Sequence, residues 1–304
     1  MNVKIRVDGT IRLSRYREFL WFVVVTSLLG AGAAAGVFGI RLLTVLVANE
    51  LAVAFMFMIN DVEDAPDDAL TPHKAIRNPI AAGSLSLRSG WWASALVALL
   101  AGFLFLLLGI SSALCGWIAL LLGYIYSWRK IRLKNLPILD MISHSMMLGG
   151  LQFLVGFLAF HPGIYWWWIY PFIMVVSISL YGELFNELRD LHGDRQAGLR
   201  HSAAIFGYQP AKILMFTFLS IGILCTVITL LVVRMLPWWV IGLTVALLVI
   251  LVIPPLLRVR RLKRNAIDVQ APFQKPFEIA FSIALAAWFF VPWVVERFGW
   301  LVAR

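Results

Sequence analysis

A chain of 304 residues, 61% hydrophobic and only 14% charged, with a mean hydropathy of +0.86, lies outside the composition of soluble globular proteins and inside that of polytopic membrane proteins. Its formal net charge of +10 does not call for nucleic acid as a partner, because a basic rim beside an anionic leaflet is ordinary for a membrane protein. The two cysteines, Cys115 and Cys225, sit in apolar runs without Cys-x-x-Cys or His spacing, so they read as packing thiols, neither a disulfide nor a metal site.

In chain order, residues 1–19 form an N-terminal segment with Lys4, Arg6, Arg12, Arg15 and Arg17. Nine apolar spans are then expected at about 20–39, 42–60, 91–110, 112–128, 138–160, 164–188, 211–233, 237–257 and 277–297. Each is long enough to cross a hydrocarbon layer of ~30 Å. Backbone polar groups in lipid must bond internally, so the spans are helices and the expected fold is all-α, a polytopic membrane protein of one domain over 1–304. The first span is too long for a signal-peptide core and no small-residue cleavage site follows it, so it is expected to remain. With the N-terminus placed in the cytoplasm, that side carries twenty-two of the Lys and Arg residues, and the other only Arg41, Arg234, Arg297 and Arg304. The asymmetry fits the positive-inside rule. The run Arg258, Arg260, Arg261, Lys263, Arg264 reads as topogenic and headgroup-binding.

At the cytoplasmic end of the second span stands NDVEDAPDD, Asn60 to Asp68. Carboxylates at that depth are expensive unless compensated. Asn60, Asp64 and Asp68 are four apart and share a helix face over two turns, where like charges repel. A hard cation such as Mg²⁺ removes the conflict, held by one or two carboxylates together with substrate phosphates. Pro66 is expected to kink or end the helix there. At the same end of the sixth span, NELRDLHGD repeats the spacing, with Asn186, Glu187, Asp190 and Asp194 matching Asn60, Asp61, Asp64 and Asp68. Two matched clusters on one side point to an internal repeat and a facing pair, suited to a diphosphate bridged by divalent cations. The expected metal ligands are Asn60, Asp61, Asp64, Asp68, Asn186, Asp190 and Asp194, the aspartates other than Asp61 being the expected catalytic set. Glu63 and Asp67 read as spectators. Basic residues in the adjacent linkers, Lys74, Arg77, Lys134, Arg195 and Arg200, are expected to hold diphosphate oxygens and stabilise the leaving charge.

These motifs, NDxxDxxxD after the second helix, DxxxD after the sixth, YSWRKIRLK and GDRQAGLRHSAAIFG, resemble those of the UbiA superfamily of intramembrane prenyltransferases. The resemblance spans roughly residues 55 to 210. It implies a helical bundle around a lipid-open central cavity, with Asn60, Asp64, Asp68, Asp190 and Asp194 binding Mg²⁺ and a polyprenyl diphosphate. The implied chemistry is ionisation to an allylic cation, attack by an acceptor and loss of a proton. The acceptor stays open among a quinone precursor, a chlorophyll-type molecule, a carotenoid and another lipid. The Asn78-Pro79 pair stands where quinone-forming members carry Arg-Pro, and Ala65 replaces a frequent Arg, which argues against 4-hydroxybenzoate.

On the fifth span Asp140, His144 and Gln152 share a face, with Ser143 adjacent. His144 is a candidate to take a proton or orient an acceptor hydroxyl, against a structural hydrogen bond. Tyr124, Tyr126 and Tyr181 are candidates to shelter an allylic cation through their ring faces. Trp166 to Trp168 read as an interfacial belt. Two competing classes are a membrane terpene cyclase on the same scaffold and a transporter or lipid-binding protein, whose charges would be spread at the midplane. Oligomeric state is not legible.

Overall fold

The computed structural model describes residues 3–70, 72–160, 166–196, 198–260 and 266–302; within its helices the side chains at 3–7, 73, 193, 194, 196, 258–260, 266–272 and 299–302 lie outside the description. Among the described residues the chain is built from helices and contains no strand. An N-terminal helix α1 (Val3–Ser14) leads into α2 (Tyr16–Ala33), α3 (Ile40–Asp68), a short α4 (Pro72–Arg77), α5 (Leu87–Leu107) and α6 (Ile110–Ser127). A linker with one 3₁₀ turn (Leu133–Asn135) precedes α7 (Leu139–Ser145), which runs through a π-helical stretch (Met146–Gly150) into α8 (Leu151–Phe160). The second part comprises α9 (Ile169–Gln196), α10 (Ser202–Phe206), α11 (Tyr208–Val227), α12 (Trp238–Arg260) and α13 (Ala266–Val302).

Eight helical runs among the described residues are long and apolar enough to cross a membrane, and they fall on the second to ninth expected spans. The first expected span, 20–39, is α2. Its opening turn carries Arg17 and Glu18, which shortens the apolar stretch, and it is not among the eight. It is nonetheless an inner helix, buried from Thr26 to Ala33 and packed against α8, α13 and α3. Large apolar side chains face outward along the other helices, such as Leu99, Phe103 and Leu107 on α5 and Ile213 and Leu224 on α11. Water would not tolerate so continuous an apolar surface, whereas lipid does. The protein is an integral membrane protein.

Small residues close the joint between α2 and α8. A Cβ added at Gly30 would sit 2.1 Å from the Phe153 carbonyl oxygen, and one at Gly156 would sit 2.6 Å from that of Ser27. Only glycine lets α2 and α8 approach so closely, the small-residue device by which helices pack where lipid removes the hydrophobic drive. Asn49 fixes the joint, its Nδ2 donating to Ser27 Oγ at 2.8 Å and to the Gln152 carbonyl at 2.9 Å. Gln152 is itself fully buried and donates through Nε2 to the Met147 carbonyl. It therefore belongs to the packing of the bundle.

Pro66, expected to kink or end α3, does not end it: the helix continues to Asp68 and closes on Ala69. Proline forfeits its bond to the Val62 carbonyl. Beside the gap, Arg129 Nε donates to the Glu63 carbonyl at 2.7 Å, so the last turn is held from outside the helix.

Candidate active site

Three elements carry the expected site: the end of α3, the basic linker after α6, and the end of α9 with α10. On α3, Asn60 and Asp64 lie one turn apart and direct oxygens at one cation. Lys134 Nζ donates to Asn60 Oδ1 at 2.9 Å and to Asp64 Oδ2 at 2.5 Å, while Ser127 Oγ donates to Asn60 Oδ1 at 3.3 Å. The other Asp64 oxygen accepts from Arg132 Nη2 at 3.0 Å. Two hard oxygens meeting on one cation, from an amide and a carboxylate, form a donor set whose chemistry fits Mg²⁺. Burial lowers the pKa of Lys134, with the attraction of Asp64 opposing it.

The linker is pinned before it reaches the site. Arg132 also bonds Asp67 Oδ2 at 3.0 Å, Arg129 pairs with Asp67 Oδ1 at 2.9 Å, and the Arg129 amide donates to Glu63 Oε2 at 3.1 Å. Glu63 and Asp67, the expected spectators, are the clamps that bring Lys134 to Asp64. Arg132 pays for this with a left-handed backbone (φ 54°) at the start of the 3₁₀ turn that bears Lys134. A non-glycine residue there costs on the order of 1 kcal/mol and persists where surrounding contacts over-determine it.

The remaining first-cluster residues turn elsewhere. Asp61 is fully buried, and its Oδ1 accepts from Arg15 Nη1 at 3.2 Å, so the structure does not bring it together with Asn60 and Asp64. Asp68 is 8% exposed and accepts from Asn78 Nδ2 at 2.9 Å; the same amide donates to the Asp61 carbonyl at 2.8 Å. Asn78, noted only as a departure from Arg-Pro, thus ties the α4 linker to the cluster. Arg77 is exposed and acts electrostatically on Asp61 and Glu18, and Lys74 lies on α4 beside it.

On α9, Asn186 and Asp190 are exposed, and Asp190 is held in a two-point contact by its neighbour Arg189, at 3.1 and 2.8 Å. The side chain of Asp194 lies outside the described residues. Among the described residues no group of three His, Cys, Asp or Glu side chains is gathered tightly enough to hold a metal ion. Arg195 donates to the Ala204 carbonyl at 3.2 Å, fastening α9 to α10, and Arg200 is exposed on the connecting loop.

Inward of this end lies a polar network that the spacing of the motifs does not announce. Glu183, two turns before Asp190 and nearly buried, receives Tyr126 OH on Oε1 at 3.0 Å and faces His144 Nε2 from Oε2 at 3.1 Å. Its sequence signal is a carboxylate inside an apolar span, which is rarely there without a role. Glu187 Oε2 accepts from the Ala203 amide at 2.9 Å and lies 3.2 Å from His201 Nδ1. Asp140 is fully buried, with its two oxygens taken by the Ser202 hydroxyl at 2.6 Å and amide at 2.5 Å; it ties α7 to α10 and is not presented to an acceptor. Of the other tyrosines, Tyr124 stacks on Trp128 at 5.4 Å and Tyr181 on Phe185 at 6.5 Å, both partly buried.

With this geometry in place, comparison with known proteins is direct. The model of the UbiA prenyltransferase family matches residues 19–274. Among solved structures, a UbiA homologue from Archaeoglobus fulgidus bound to GPP and Mg²⁺ is 18% identical, with a TM-score of 0.66 over 92% of this chain and 99% of that one. The apo structure of a UbiA homologue from Aeropyrum pernix K1 gives 17% and 0.66, over 90% and 98%. A structure concerned with digeranylgeranylglyceryl phosphate synthase in membranes gives 17% and 0.63, over 92% and 98%. At these identities the likeness is one of fold. No curated protein matches the sequence.

Proposed function

The chain belongs to the UbiA prenyltransferase family, and from that premise we propose that it transfers a polyprenyl group from an allylic polyprenyl diphosphate to a lipophilic acceptor. The observation that carries this reading is the convergence of Asn60 Oδ1 and Asp64 Oδ2 on the Lys134 ammonium. Oxygens that already share one cation are arranged to share another, and Lys134 can turn from them to a phosphate oxygen. Asn60, Asp64 and Asp68 on α3, with Asn186, Asp190 and Asp194 on α9, would hold Mg²⁺. When bound, Mg²⁺ would neutralise the diphosphate and ease its departure.

The chain's own residues do the rest. Lys134 and Arg132 bind diphosphate oxygens and stabilise the leaving charge, with Lys74, Arg77, Arg195 and Arg200 forming the outer basic rim. Tyr124 and Tyr181 offer ring faces to the allylic cation, and the hydrocarbon tail lies among apolar side chains within the bundle. The membrane supplies both tail and acceptor laterally, and the site opens on the cytoplasmic side. The test is diphosphate release from geranylgeranyl diphosphate by the purified protein with Mg²⁺. Release should stop in excess chelator and in Asp64→Ala; release that persists in both overturns the reading. Product analysis without added acceptor separates transfer from internal cyclisation.

A further inference from the structure

Tyr126, Glu183 and His144 lie in a line inside the bundle, the phenol bonded to Glu183 and the imidazole Nε2 3.1 Å from its other oxygen, and none of them belongs to the two acidic repeats. The line starts one residue from the metal-type donors: on α6, Ser127 bonds Asn60 while Tyr126 bonds Glu183. Lys134, which holds Asp64, is also close enough to act electrostatically on Glu183. Glu183 thus accepts from the phenol on one oxygen at 3.0 Å and has the imidazole Nε2 at ion-pair distance, 3.1 Å, from the other.

A carboxylate beside Nε2 favours the proton on that nitrogen, and with it the neutral tautomer whose Nδ1 carries a lone pair. In this structure His144 Nδ1 is buried and has no hydrogen-bond partner, although the ring as a whole is 16% exposed. Glu187 and Asp140 also act on the ring electrostatically, so negative charge faces it from α9 and from its own helix. The local backbone is unusual too, since α7 passes into the π-helical stretch two residues after His144. Such stretches are frequent at functional sites. A nitrogen base, a carboxylate beside it and an unpartnered ring nitrogen, linked through α6 to the proposed diphosphate site, make the arrangement of a general base.

We propose that His144 is the general base of the transfer, positioned by Glu183, and that the acceptor is a lipid bearing a hydroxyl group; this rests on the prenyltransferase reading above. In the step, the C1–O bond of the prenyl diphosphate breaks and its electron pair leaves with the diphosphate. A lone pair of the acceptor oxygen forms the new O–C1 ether bond, and the O–H proton passes to His144 Nδ1, the imidazolium being balanced by Glu183. A hydroxyl is the group that an unpartnered Nδ1 recognises. A carbon nucleophile without a hydroxyl offers it no hydrogen bond, and a carboxylate acceptor carries no proton to remove.

The full-length protein in phospholipid nanodiscs is given Mg²⁺, labelled geranylgeranyl diphosphate and lipid extracted from its host membranes, either untreated or acetylated to block hydroxyls. The expected result is a labelled ether from the untreated extract and none from the acetylated one. His144→Ala lowers product formation by roughly 10²–10⁴-fold, the usual contribution of a general base. It leaves the affinity for geranylgeranyl diphosphate within about twofold of wild type, and added imidazole restores part of the rate. Glu183→Gln, a positioning change, lowers kcat by about tenfold or more with KM unchanged. Equal product from the acetylated extract, or wild-type turnover by His144→Ala, overturns the proposal. A wild-type protein that releases no diphosphate at all sinks the transferase reading itself, and the base with it.

Discussion

At the end of α3 the acidic cluster is engaged on every side: Asn60 and Asp64 by Lys134, Asp64 and Asp67 by Arg132, Asp61 by Arg15 and Asp68 by Asn78. At the end of α9 the cluster of the same spacing is split. Asn186 and Asp190 are exposed, while Glu187 is buried against His201 and the Ala203 amide. The repeat is nonetheless kept at one unexpected position. Asp61 and Glu187 are the equivalent acids, and each turns inward to a nitrogen-bearing side chain from a flanking segment, Arg15 before α2 and His201 before α10. Asn186 and Asp190, the positions matching Asn60 and Asp64, are exposed, and the position between them fastens the helix end to its neighbour.

The sharpest way to break this comparison is to remove the acid at the equivalent outward position of each copy. Asp64→Ala and Asp190→Ala are each expected to lower diphosphate release from geranylgeranyl diphosphate by roughly 10²–10³-fold or more, the cost of losing one preorganised electrostatic partner. Both proteins should keep wild-type melting behaviour within a few degrees. Wild-type release by Asp190→Ala would mean that only the α3 copy serves the ligand.

Next in size comes the linker. Lys134→Ala should reduce release by about 10²-fold, because it takes the buried cation from between Asn60 and Asp64. Arg200→Ala, exposed on the α9–α10 loop, should change it by about threefold or less, as expected of an outer charge screened by salt. Equal losses would put the basic rim on the same footing as the buried lysine.

The inward positions are expected to matter for stability. Asp61→Asn and Glu187→Gln should each lower the unfolding free energy by about 1–3 kcal/mol, since each weakens a buried bond and leaves its partner poorly satisfied. The rate of the folded fraction should stay within about threefold of wild type. A large loss of rate with unchanged stability would return Asp61 to the ligand set, or add Glu187 to it.

The repeat, the basic linkers and most of the helices were legible because they follow from spacing and hydropathy along one chain. What the sequence hid are choices made by segments far apart. Whether Asp61 points at Asp64 or at Arg15 depends on where α1 hands over to α2, and the role of Asn78 depends on how α4 folds back under α3. Glu63 and Asp67 looked idle because their partners, Arg129 and Arg132, lie on a different linker. Glu183 falls outside the repeat, although its place in an apolar span is itself a signal. Pro66 sits inside α3 without ending it, and the external bond from Arg129 to the Glu63 carbonyl, which holds that turn, comes from a distant linker.

The smallest effect should come from Arg189, the neighbour that pairs with Asp190. Both side chains are about half exposed, at 47% and 50%. Exposed pairs of this kind are worth about 0–1 kcal/mol, so Arg189→Ala should barely move the melting temperature. Its effect on the ligand has a definite sign. Asp64 keeps buried cations against it whatever happens at α9, but Asp190 would lose the cation that holds both its oxygens. Removing Arg189 should therefore leave Asp190 freer to accept a divalent cation, and the Mg²⁺ concentration for half-maximal release should fall by about twofold. A rise would place Arg189 on the diphosphate itself, and the second cluster would then carry its own cation as the first does.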